Sequence, residues 1–145
     1  MTRHSETLAG EPAHEAPERP RPPRPGTIEL AGAILIVGGV LGLFGALTAA
    51  PSLPAGTEPF LLVAIALDVG SIVIGVLVRT GRAWILAVNY VAVLGFLDLL
   101  AAGTSQLALM VGLADLLVVV ILIRHKPWFD AMAAWRRGDE VRLNP

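Results

Sequence analysis

The chain has no cysteine among its 145 residues, which excludes disulfides, thiolate metal sites and cysteine nucleophiles. Charged residues make up only 16% and aromatics 6%, against 54% hydrophobic residues, a balance foreign to ordinary soluble domains. Its three histidines, His4, His14 and His125, lie outside every long apolar run. HExxH, CxxC, phosphate-loop and GxSxG signatures are all missing. We therefore expect a protein that is not an enzyme and carries no metal or cofactor. The net charge of −1 predicts no nucleic-acid partner.

What is present is lipid-compatible sequence. Four runs of about 20 residues match a hydrocarbon core of about 30 Å at about 1.5 Å per residue. They predict spans at 27–50, 59–79, 83–102 and 104–124, within a transmembrane domain of residues 26–126. The expected fold is an all-α membrane protein, a bundle of four transmembrane helices with a short interfacial helix and a disordered N-terminal tail. Pro25, Pro51, Pro54 and Gly103 punctuate the runs, Pro59 suits a first helical turn, and Thr104 or Ser105 suits a helix cap.

Residues 1–25 contain six prolines and mixed charges. They bury too little apolar surface to offset the entropy of ordering and read as a disordered cytoplasmic tail, not as a secretory signal. Residues 127–145 read as an amphipathic interfacial helix and a loose tail. Trp128, Met132 and Trp135 share one helical face there, with the indoles placed as headgroup-level anchors.

All eleven Lys and Arg residues fall in the N-terminal tail, at Arg79 and Arg82, or from Arg124 onward. The positive-inside rule then puts both termini and the 79–82 turn in the cytoplasm. Arg79, Arg82 and Trp84 read as anchors of that interface. Lipid-headgroup recognition by the same cluster is the alternative. Glu29 is explained by the positive end of the first helix dipole.

Gly38, Gly42 and Gly45 form a small-residue stripe that lets helices approach closely in lipid. Internal packing is its first use, and contact with a second copy its second. A weak repeat relates VLGLFGALTAA at 40–50 to VLGFLDLLAAG at 93–103, and then Asp68, Arg79 and Trp84 to Asp115, Arg124 and Trp128. A duplicated hairpin explains it.

Three carboxylates stand inside the spans, Asp68 and Asp115 near helix centres and Asp98 nearer one end. Each shares a face with small residues, which directs it toward other helices. Apart from Arg79 and Arg124 at their ends the spans hold no Lys, Arg or His, so an ionised carboxylate has no counter-charge and the neutral form is favoured. Three roles follow: neutral hydrogen-bonding groups that specify helix pairing, a proton or cation site, or partners of a basic residue on another membrane protein.

At RPRPPRPGTIELAGAILIVGGVLGLFGAL, VRTGRAW and RHKPWF the chain resembles small four-helix integral membrane proteins of actinobacteria and related bacteria, a group with no known activity. The resemblance spans about residues 19–135 and implies a multi-pass protein of the bacterial plasma membrane. Its size is similar to that of small multidrug transporters, but their key acid lies within the first helix, where this chain has only the terminal Glu29. The expected function is a non-enzymatic accessory or helix-packing subunit. The alternatives are a small proton- or cation-coupled carrier using Asp68 and Asp115, and a scaffold that recruits a cytoplasmic partner.

Overall fold

A computed structural model of the chain describes residues 20–103 and 105–138. The predicted tail residues 1–19 and the closing tail 139–145 lie outside them. Helix α1 (Gly26–Ala49) begins at extended Pro25, whose carbonyl accepts from Ile28 and Glu29 N–H at 3.0 and 3.3 Å. It closes in a 3-10 turn, Ala50–Ser52, that contains Pro51. Helix α2 (Glu58–Arg79) carries Pro59 in its first turn, where a missing N–H costs nothing. Helix α3 (Trp84–Ala101) follows Ala83, which adopts a left-handed conformation. Helix α4 (Gln106–Arg124) is capped by Ser105, whose hydroxyl accepts from Ala108 N–H at 3.4 Å. Helix α5 (Lys126–Arg137) starts over Pro127 and stops at left-handed Gly138. Four of these helices are long and apolar enough to cross a membrane.

The helices pack as two antiparallel hairpins. Gly32 of α1 lies against Gly75 and Arg79 of α2, and Gly39 against Ser71 and Ile72. In the second hairpin Gly95 of α3 lies against Asp115 and Gly112 of α4, and the Trp84 indole donates to the Leu122 carbonyl at 2.8 Å. The hairpins meet along α1 with α4 and α2 with α3. His125 ties the first pair of these: its Nδ1 donates to the Ile121 carbonyl at 2.9 Å, and its Nε2 stands 2.9 Å from the Thr27 hydroxyl.

The fully buried residues all gather toward one end. They reach only to Gly39 in α1 and Gly95 in α3, and begin at Ser71 in α2 and Gly112 in α4. This is the end that carries the arginines. The opposite halves present Phe44, Phe60, Phe96 and Leu107 outward, as surfaces in contact with lipid do.

Two expectations change here. Residues 20–25 are not loose: Pro22 is buried, the Pro23 carbonyl accepts from the Trp128 indole at 2.8 Å, and Arg21 lies over the Trp135 ring at 5.9 Å. Nor does α5 spend its apolar face on lipid alone. Phe129 and Met132 are 3% and 1% exposed, buried against the bundle end, so the helix covers that end.

Candidate functional site

Asp68 sits at the middle of α2, and its carboxylate occupies the space that a side chain at Gly42 would need. Asp115 sits at the middle of α4 with its Cβ against Gly95, at 3.1 Å from where a Cβ there would stand. Asp98 of α3 relates to Gly112 in the same way, at 3.2 Å. Each acid is thus seated in a glycine notch of its own hairpin partner. The notch pairs Gly42 with Asp68 and Gly95 with Asp115, which are matched positions of the two sequence halves, so the proposed repeat has a shared contact.

The acids also meet one another. Asp98 and Asp115 stand within hydrogen-bonding reach of each other across α3 and α4. Asp98 also acts electrostatically on Asp68 across α2 and α3. Asp115 is only 7% exposed, whereas the other two are half-buried. The Tyr90 hydroxyl joins them, donating to the Leu67 carbonyl in a short hydrogen bond and packing on Gly70 and Ser71 of α2. The cluster therefore holds groups from α2, α3 and α4. Among the described residues no three of its acidic groups stand in a metal-binding arrangement.

Asp98, not Asp68, is the partner of Asp115, a pairing that sequence position did not reveal. Asn89 points away from the cluster and donates to the Ile85 carbonyl at 2.8 Å. Of the glycine stripe, only Gly42 meets another helix; Gly38 and Gly45 face open space. The stripe that joins α1 to α2 is Gly32, Gly39 and Gly42. Both stripes pass through Gly42, and the contact runs from there through Gly39 and Gly32 instead of Gly38 and Gly45.

The residues read as anchors make specific contacts within the chain. Arg79 forms a close ion pair with Glu29 of α1, and Arg24 completes it at 3.2 Å. Arg82 is exposed in the turn. Trp84 underlies the Lys126 ammonium at 5.4 Å, and Trp128 meets Phe129 edge-on at 5.0 Å between centroids. Arg136 donates to the carbonyls of Thr80 and Gly81 at 3.3 and 2.8 Å, which fastens α5 to the turn between the hairpins.

No protein-family model, curated protein or solved structure matches this chain. The functional reading rests on the geometry. Four helices of spanning length and apolar composition make the chain a multi-pass helical membrane protein, and its hairpins seat three carboxylates against glycines.

Proposed function

We propose that the protein is a non-enzymatic accessory or helix-packing subunit of the bacterial plasma membrane, with its carboxyl cluster acting as the polar lock between helices. The observation that carries this reading is the glycine notch under each acid. Close backbone approach plus an interhelical hydrogen bond is the means by which spans associate where lipid removes any hydrophobic gain. The helix halves beyond the cluster have no buried residues, which suits a chain that lays them against another membrane protein or a second copy.

A small proton- or cation-coupled carrier is the second reading. It is favoured by the convergence of three acids from three helices with no basic side chain among them. The scaffold reading has less support, since the apolar face of α5 is occupied by this chain's own residues.

Changing Asp68, Asp98 and Asp115 together to Asn separates the first two readings. The variant keeps hydrogen-bonding capacity, so its stability should stay within about 2 kcal/mol of the parent, interhelical bonds in lipid averaging about 0.6 kcal/mol each. Proton flux into liposomes, followed with an entrapped pH dye, should be the same for both proteins and for empty vesicles. Flux by the parent that the variant loses would establish the carrier instead.

Both termini and the 80–83 turn belong in the cytoplasm on this reading, because the arginines gather at their end. A fluorescent reporter that folds only in the cytoplasm should be active when fused after Pro145. A periplasm-dependent phosphatase at the same position should be silent, and the reverse pattern would invert the topology.

A further inference from the structure

A cavity of about 640 Å³ opens at the basic end between the start of α3 and α5. Its lining includes the apolar side chains of Trp84, Ile85, Leu86 and Phe129 together with the cations Lys126 and Arg136. The position of this groove in the bilayer follows from its walls. Ile85 and Leu86 are 69% and 55% exposed on the first turn of a span, where they face lipid. Lys126 and Arg136 belong to the helix that lies outside the spans. The groove therefore crosses the boundary between acyl chains and headgroups.

Its charge is equally defined. Arg136 lies among Arg82, Arg21 and Arg137, and burial together with these like charges holds its guanidinium below the usual arginine range. Asp130 is the acid in the lining, and it is already paired with Lys126 at 2.6 Å. Among the described residues the lining holds more positive than negative charge. A zwitterionic headgroup would add a further cation to this cluster. A soluble anion would leave the apolar side chains uncovered.

We propose that this groove binds one anionic phospholipid of the adjoining leaflet, with its headgroup at the basic edge to which Lys126 and Arg136 contribute and the first part of an acyl chain along Trp84, Ile85 and Leu86. The guanidinium is held in place by its bonds to Thr80 and Gly81, and the ammonium by Asp130 and the Trp84 face. The two cations are thus positioned before lipid arrives, which reduces the ordering cost of binding. The site would also hold α5 to the turn between the hairpins, since the same lipid touches both.

The test uses the full chain in nanodiscs of phosphatidylcholine with a minor fraction of brominated lipid, read as quenching of tryptophan fluorescence. Brominated phosphatidylglycerol should quench well beyond brominated phosphatidylcholine at equal fraction. In K126Q/R136Q that preference should fall roughly fivefold for each cation removed. R124Q, which removes an exposed arginine outside the groove lining, should keep it. A133F fills the groove without changing charge and should also abolish the preference, which guards against a double variant that fails to fold. Lys126→Arg should retain it. Equal quenching by both lipids, or a preference unchanged in K126Q/R136Q and A133F, would overturn the proposal. Displacement of the brominated lipid by millimolar glycerol phosphate would also overturn it, by showing a site for a soluble phosphate.

Discussion

Replacing Gly75 with leucine should part α1 from α2 and cost the bundle more than any substitution on its lipid-facing surface. A Cβ at Gly75 would stand 2.8 Å from the Gly32 carbonyl oxygen, 2.7 Å from Ile36 Cγ1 and 3.1 Å from Ile36 N. Two of those neighbours are backbone atoms, so no rotamer change relieves the clash and the helix axes must separate. Overpacking costs about 1–3 kcal/mol, and leucine falls at the upper end. The helix propensity gained on losing a glycine returns about 1 kcal/mol at most, leaving a net loss of about 2 kcal/mol. Gly45→Leu is the matched comparison: the same chemistry on the same hairpin, but with open space around the position. Unfolding in mixed micelles of rising dodecyl sulfate content should show a clear loss for Gly75→Leu and no loss for Gly45→Leu, whose helix-propensity gain of up to about 1 kcal/mol is unopposed. The opposite ranking would place the contact on the Gly38 and Gly45 face, as between two copies.

That contrast marks where the sequence stopped being legible. Span positions were readable to within a residue or two, because a bilayer imposes a length and proline and glycine mark the ends locally. The inward direction of the acids was readable too, since Asp68, Asp98 and Asp115 share helical faces with small residues. The phase of the α1 stripe was not. Gly38, Gly42 and Gly45 and the observed Gly32, Gly39 and Gly42 are both regular small-residue faces, and only the opposing helix decides between them. The Asp98 to Asp115 pairing was hidden for the same reason, as the register between α3 and α4 is a tertiary quantity. In α5 the spacing of Trp128, Met132 and Trp135 established an apolar face, but not whether lipid or protein covers it.

The protein that covers it converges on Gly81, where a Val substitution should release α5. Gly81 closes α2 in a Schellman arrangement: its N–H donates to the Val78 carbonyl at 3.0 Å, and the next residue, Arg82, donates to Leu77 at 2.9 Å. This requires φ of +70°, which costs an L residue about 1–2 kcal/mol and a β-branched one more. A Cβ there would also stand 3.0 and 3.1 Å from Met132 Cγ and Cβ, and 3.1 Å from the edge of the Trp128 ring. Losing the seat exposes Phe129 and Met132, each worth about 1.5–3 kcal/mol when fully buried. Gly56→Val is the comparison, since Gly56 has φ of +90° with open space around it and so carries the backbone cost alone. Hydrogen exchange across residues 126–137 should rise sharply in Gly81→Val and stay at the parent level in Gly56→Val. Because Gly81 also lines the groove between α3 and α5, Gly81→Val should lose the phosphatidylglycerol preference in the same preparation, while the hairpin contacts at Gly75 and Gly95, buried farther along the helices, persist.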